Sequence, residues 1–286
     1  MAVPELPEVE SVRRQLAPEL TGRRVTGVWW DPHPHARLSD LDLVVDRRVD
    51  AVHRRGKYLL CPLDPTVDGD RLELVLHLGM TGSLSFRPAA GPAPRLVGDG
   101  VAAPGHVRVR FDLNDGRSLR FRDPRRFGRA SVVPAGDYTD RIPTLADLGP
   151  EPLSDEFDPE RFAAALATTT APVKAKLLDQ RLVAGVGNIY ADEALWRARI
   201  HPASRRVGRA RALRLHQHVV EVLTAAVERE GTTFRDYQLV NGQSGRYADH
   251  LDAYGQADLP CRRCGQPMRR AVIAQRGTTY CPSCQR

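Results

Sequence analysis

Lysine is scarce in this chain. Lys57, Lys174 and Lys176 are the only lysines among 42 basic residues, so each is a candidate for a role that arginine cannot fill. Cysteine is nearly confined to one place: Cys61 stands alone in an apolar run, while Cys261, Cys264, Cys281 and Cys284 fall in the last 26 residues. Long apolar runs are missing, and no stretch reaches the roughly 18 residues a spanning helix needs, which argues against a membrane segment. The chain opens with prolines and glutamates, not a basic and then apolar leader, so the expected location is the cytoplasm. No internal repeat is visible.

What is present suffices for a globular protein of more than one domain: 286 residues, 42% hydrophobic and 27% charged. The net charge of +7 suits a polyanion, because phosphates neutralised by the protein release counterions. Solubility, or arginine-rich coding, would explain the same excess, so the motifs must decide.

Residues 1 to about 20 carry a helical signature, with Glu5, Glu8 and Glu10 near the start and Val9, Val12 and Leu16 at helical spacing. From Val25 to Val133 the pattern turns to short β runs: 25–30, 49–53, 58–60, 72–78, 84–86, 107–111, 119–121 and 130–133, with Asn114-Asp115-Gly116 as a hairpin turn. An antiparallel sandwich or barrel is expected there. Residues 88–105 have loop composition. Beyond Gly149-Pro150-Glu151-Pro152 the period becomes helical over 159–168, 172–183, 188–198, 207–229 and about 233–239. The expected architecture is therefore multidomain α+β. It comprises an N-terminal β-sandwich domain with its helix (1–148), a linker (149–159), a helical domain (160–255) and a cysteine module (256–286).

Cys261-x2-Cys264-x16-Cys281-x2-Cys284 has the spacing by which two knuckles grip one tetrahedral Zn2+. Disulfides are the alternative, disfavoured in a reducing compartment. Four thiolates leave no open coordination position, so the zinc is structural and supplies folding energy to a segment too short for its own core. Arg269, Arg270 and Arg276 lie between the pairs, with Gln275-Arg276-Gly277 at a turn that could follow a phosphate backbone or face solvent or protein.

Three loops carry further signals. Gly185-Val186-Gly187-Asn188 is a tight turn between helices whose amides could hold a phosphate, or simply a Gly C-cap followed by an Asn N-cap. Asp123-Pro124-Arg125-Arg126-Phe127-Gly128 suits a wedge inserted into stacked bases, or a turn with Phe127 tucked into the core. Met80, between Gly79 and Gly82, is a second wedge or a gap-filler.

Taken together and in order, Pro4 to Glu10, Gly56 to Leu60, His77 to Met80, Asp123 to Gly128, Leu148 to Leu153, Gly185 to Tyr190 and the cysteine module with Gln275-Arg276 resemble the formamidopyrimidine-DNA glycosylase family over nearly the whole chain. The resemblance implies a β-sandwich, a helix-two-turn-helix domain and a zinc finger, with double-stranded DNA bearing an oxidised purine or an abasic site in the cleft. It implies a monomeric base-excision repair enzyme that removes 8-oxoguanine and formamidopyrimidines and nicks the strand by β,δ-elimination. By motif match Pro4 would be the nucleophile, through a Schiff base, and Glu5 the proton-transfer acid. Lys57, Asn188 and Arg276 would hold phosphates, and Met80, Arg125 and Phe127, beside Arg126, would fill the vacated stack, with Arg125 reading the opposite cytosine. Lys174 and the loop from Val240 to Tyr247 would lie near the flipped base.

One departure stands out. The family pattern has Pro directly after the initiator Met, whereas this chain reads Met1-Ala2-Val3-Pro4, which leaves the Pro4 nitrogen an amide. A GTG start at position 3 would restore the pattern. The competing expectations are a damage binder without the amine, the endonuclease VIII branch acting on oxidised pyrimidines, and a zinc-ribbon RNA-binding protein.

Overall fold

The computed structural model describes residues 3–32, 37–88, 104–232, 240 and 246–286. Helix α1 (Leu6–Leu20) opens the chain behind a capping box, in which Glu5 and Glu8 each accept from the other's end of the first turn. Its buried stripe of Val9, Val12, Leu16 and Leu20 faces the sandwich core.

The strands that follow are β1 (Val25–Trp30), β2 (Leu38–Ser39), β3 (His53–Arg55), β4 (Tyr58–Pro62), β5 (Leu72–His77), β6 (Ser83–Pro88), β7 (Val107–Leu113), β8 (Arg117–Arg122) and β9 (Arg129–Pro134). They form two sheets, ordered β1-β7-β8-β6 and β2-β9-β5-β4-β3. Val28, Leu74, Leu76, Phe111, Leu119 and Phe121 interlock between them. The structure is thus an open sandwich, not a closed barrel. All pairings are antiparallel except that of β2 with β9, which is parallel. The hairpin at Asn114-Asp115-Gly116 joins β7 to β8, with Gly116 at φ 78°. The expected strand over 49–53 is instead β3 at His53–Arg55. Val49 makes only an isolated bridge to Leu63, and its apolar signal reflects burial in the core.

The helical part comprises α2 (Pro143–Ala146), α3 (Pro159–Thr168), α4 (Val173–Leu178), α5 (Asn188–Ala198) and α6 (Arg209–Glu228). Phe162, Leu166, Leu195, Leu215 and Leu223 are among the residues of its separate core. The expected helix over 172–183 stops at Leu178, because the Asp179 carboxylate accepts from the Arg181 amide and turns the chain. Strands β10 (Arg269–Ile273) and β11 (Arg276–Tyr280) form the terminal hairpin. The expected helical piece near 233–239 lies outside the described residues, as do most of the loop at 88–105 and most of the loop from Val240 to Tyr247.

Segment 149–159 is held firmly at its start. The Glu151 carboxylate accepts from Arg54 at 2.7 Å, Arg55 at 3.1 Å and the Gly56 amide at 2.5 Å, and the Gly149 amide donates to Gln180. The chain crosses between the two cores on a clamped segment, which fixes the cleft.

Candidate active site and nucleic-acid interface

Glu5 ends the segment that leads into α1, and its carboxylate reaches the N-terminus of α5. It accepts from the Gly187 amide at 2.8 Å and the Ile189 amide at 2.8 Å. An anion at the positive end of a helix is favourable. Here the turn amides that could have taken a phosphate hold this carboxylate instead. Gly187 is required by that contact, since a Cβ at this position would fall inside the Glu5 carboxyl group. Gly185, at φ 81°, donates to Gln180 and accepts from the Leu6 amide, so the start of α1 is fastened to the turn as well.

Burial pushes the Glu5 carboxyl up to about 7; Lys57 opposes the rise, the neighbouring Glu8 adds to it, and the α5 amides oppose it. Glu8 is itself buried and raised by desolvation, while accepting from Tyr190 Oη at 2.5 Å and the Thr232 amide at 2.7 Å. Lys57 sits at the turn between β3 and β4. Burial lowers its ammonium, the charges of Glu5 and Glu8 raise it, and Arg276 lowers it. The site thus holds an acid that burial pushes up and an amine that burial pushes down.

A cavity of about 170 Å³ is lined by Val3, Glu5, Lys57, Met80, Asn188 and Arg276, with Leu178, Gly187 and Ile189. A second, of about 500 Å³, shares Val3, Lys57 and Leu178 and extends to Arg37, His77 and Phe127. Pro4 is buried beside Val3. The fold therefore brings five of the residues singled out in the sequence to one wall.

The two wedge candidates are locked together. Asp123 accepts from Thr81 Oγ1 at 2.7 Å and from the Gly128 amide at 2.7 Å. His77, pushed down to about 3 by burial and nearby cations, is neutral and accepts the Gly79 amide on Nδ1. Phe127 is 42% exposed, so it is not a core residue, and Arg125 lies over its ring at 4.9 Å. Arg126 turns the other way, at φ 59°, into an ion pair with Asp31 at 2.8 Å.

Lys174 does not line the cavity. Its side chain is fully buried, bonded to Asp192 at 2.6 Å, Thr278 Oγ1 at 2.8 Å and the Gly277 carbonyl at 3.3 Å. Asp192 also accepts the Thr279 amide at 3.0 Å. Asn188 donates to the Gly277 carbonyl at 3.0 Å, while its Oδ1 is buried with no hydrogen-bond partner among the described residues. No sequence signal marks Asp192, because an acidic residue inside a helical run reads as solvated surface. Nor is Glu193 marked, although its carboxylate accepts three amides, from Asp252, Ala253 and Tyr254.

The four sulfurs of Cys261, Cys264, Cys281 and Cys284 lie within 4.8 Å of one another. A tetrahedron with Zn–S bonds of about 2.3 Å spaces its sulfurs by about 3.8 Å, which the cluster accommodates. Trp196 Nε1 donates to Cys261 Sγ and the Cys284 amide to Cys281 Sγ, as thiolates accept. The residues fit one structural Zn2+. No helix among the described residues is long and apolar enough to cross a membrane.

Family models match in chain order: the formamidopyrimidine-DNA glycosylase N-terminal domain at 3–130, the H2TH domain of the same enzyme at 148–238, and the zinc finger found in FPG and IleRS at 258–286. A formamidopyrimidine-DNA glycosylase of Deinococcus radiodurans is 44% identical over 99% of this chain and 97% of its own length. The crystal structure of the MutM (Fpg) protein from Thermus thermophilus superposes with a TM-score of 0.84 at 45% identity, covering 99% of this chain and 98% of that one. Lactococcus lactis Fpg in complex with abasic-site DNA gives 0.83 at 30% identity, with 99% of each chain covered. The chain belongs to the formamidopyrimidine-DNA glycosylase family.

Proposed function

We propose that this protein flips an oxidised purine out of duplex DNA, cleaves its glycosidic bond and nicks the strand at the resulting abasic site. The supporting observation is the shared cavity wall of Glu5, Lys57, Met80, Asn188 and Arg276, drawn from both cores and the terminal hairpin. A flipped nucleotide needs that combination: cations for its phosphates, an acid for its sugar, and apolar groups for the gap it leaves.

In this reading Pro4 supplies the nucleophile. A terminal secondary amine has a pKa of about 8, so an appreciable fraction is free at neutral pH. Its lone pair attacks C1′ as the bond from C1′ to the base breaks and the base leaves with its electrons. The C1′–O4′ bond then opens as O4′ takes a proton, which gives the iminium; loss of a proton from C2′ expels the 3′ phosphate, and loss of the C4′ proton in a second elimination expels the 5′ phosphate. Glu5, held by the α5 amides, exchanges the protons. Lys57, Asn188 and Arg276 fix the phosphates. Met80, Arg125 and Phe127 fill the vacated stack, and Arg125 donates to the opposite cytosine. Lys174 acts one step back, fixing the hairpin turn that carries Arg276 against Asn188. The bound zinc holds that hairpin and takes no part in the chemistry.

The Pro4 nitrogen must be free for this, and Val3 lines both cavities at their common boundary, where the lesion sugar would sit. The acting form on this reading begins at Pro4, and it works in the bacterial cytoplasm. Borohydride trapping of the protein expressed from its own gene, on a duplex with 8-oxoguanine opposite cytosine, tests it. An adduct whose mass corresponds to a chain starting at Pro4 is the expected result. Tight lesion binding without any adduct would mean a damage binder whose nucleophile is blocked.

A further inference from the structure

Residues 199–214 contain Arg199, Arg205, Arg206, Arg209, Arg211 and Arg214 and no acidic residue. All are exposed except Arg211, which is half-buried. The fold brings them to the surface where α3 and the end of α5 meet the start of α6. The Arg286 amide donates to the Arg199 carbonyl, and its own carbonyl accepts from the His201 amide and the Arg211 guanidinium. Arg214 donates to the Ala198 carbonyl at 3.1 Å, and the amides of Arg206 and Val207 dock on Thr169 and Leu166 at the end of α3. Among the described residues the ion pair on this face is Arg209 with Glu160, both well exposed and so worth little.

The face lies away from the cavity. Helix α5 starts at Asn188, on the cavity wall, and Arg199 is its C-cap; eleven residues at about 1.5 Å each separate the two ends by about 16 Å. Helix α6 gains little from these charges, since Arg209, Arg211 and Arg214 occupy its opening turns, where the helix dipole disfavours cations and the first turn carries no acidic residue of its own. The segment includes no Phe, Tyr or Trp, so it offers no stacking platform for a single strand. It has no exposed apolar centre of the kind protein partners anchor on.

We propose that this face binds a second segment of duplex DNA through its phosphates while the cleft holds the first. The inference rests on the cleft being a DNA site. It adds a route by which the protein passes directly from one duplex to another, because capture of the second segment precedes release of the first. Phosphate contacts of this type carry no sequence preference and weaken steeply with salt.

The test uses the full chain, bound to a short immobilised lesion duplex, and measures capture of a labelled undamaged duplex across a salt series. Capture is expected with a log–log salt slope of about −4, at roughly 0.9 per phosphate neutralised. The variant R205E/R206E/R209E should lose capture by at least about tenfold, as expected for reversing three phosphate-facing charges. Excision on the short duplex should be unchanged. A control with the same charge change on the sandwich, R24E/R48E/R87E, should keep capture. Equal loss in both variants would assign the effect to net charge and overturn the proposal, as would wild-type capture by R205E/R206E/R209E. Absent excision with intact capture of the second duplex would sink the catalytic reading and leave this face standing.

Discussion

Helix α5 fastens two neighbours by carboxylate–amide bonds, one at its N-terminus and one on its side. At its N-terminus the Gly187 and Ile189 amides hold the Glu5 carboxylate, which brings the segment ahead of α1 into place. On its side, Asp192 holds the zinc hairpin through the Thr279 amide. Both carboxylates are buried and both are pushed up by desolvation, Glu5 to about 7 and Asp192 to about 6. The difference is the counter-charge. Asp192 has the Lys174 ammonium at 2.6 Å, whereas Glu5 has amides and only a through-space pull from Lys57. A paired carboxylate makes a strut, and an unpaired one stays free to titrate.

The largest break in that comparison is removal of zinc. Structural zinc contributes about 10–16 kcal/mol in small finger peptides, far more than a hairpin of two five-residue strands can replace. Chelation should therefore melt β10 and β11 and abolish lesion binding, while amide exchange in α1 and the sandwich stays protected. Retained binding after chelation would show that the hairpin is peripheral.

Replacing the titratable carboxylate comes next. Glu5→Gln should lower single-turnover base release by about 10²- to 10⁴-fold, the usual contribution of a positioned proton donor. It also puts an amide NH2 against two backbone N–H groups. In the wild type Glu5 is protonated below its pKa, so base release should fall as pH rises through about 7. The stability sign is the same: folding raises this pKa above the ordinary carboxylate value, so Glu5 costs stability progressively as pH rises from that value through about 7. A pH–rate profile that is flat across this window would remove Glu5 from the chemistry.

The strut is the smaller of the two anchors in catalytic terms and the larger in stability. Lys174→Met leaves Asp192 buried without its partner, a loss of about 3–5 kcal/mol when one member of a buried pair is removed. The double variant K174M/D192L should recover much of that, yet still bind lesion duplex with a salt slope shallower by about 1, since Arg276 is no longer fixed. A variant that instead discriminates among oxidised bases differently, at unchanged slope, would return Lys174 to direct base contact.

This contrast also explains what the sequence disclosed. Strand β1 and helices α3 and α5 are marked by local periodicity, and their bounds match the expected ranges. The cysteine cluster and the exposed position of Phe127 in a turn were legible because spacing and turn residues are local properties. Lys174 was singled out by rarity, but rarity does not say which way a side chain points. Its partners lie 18 and 104 positions away. Glu151 was equally hidden, since Gly-Pro-Glu-Pro composition describes a linker and not the three donors that clamp it. Arg126 differs from Arg125 only in a left-handed backbone that turns it to Asp31, and adjacent arginines cannot reveal that.

That pair gives the last and smallest effect. Arg125 lies over Phe127 on the exposed loop, while Arg126 is tied back to Asp31, which also accepts from Arg108 at 2.5 Å. Arg125→Ala should cost about 1–3 kcal/mol for lesions opposite cytosine and little opposite other bases, because a donor to one base edge is lost and the wedge ring remains. Arg126→Ala should weaken all opposite bases alike through loss of loop order. Both variants leave the Glu5 and Asp192 anchors untouched, so melting temperature should barely move. Equal losses from Arg125→Ala across all four opposite bases would show that the loop works by shape alone, with neither arginine reading the partner strand.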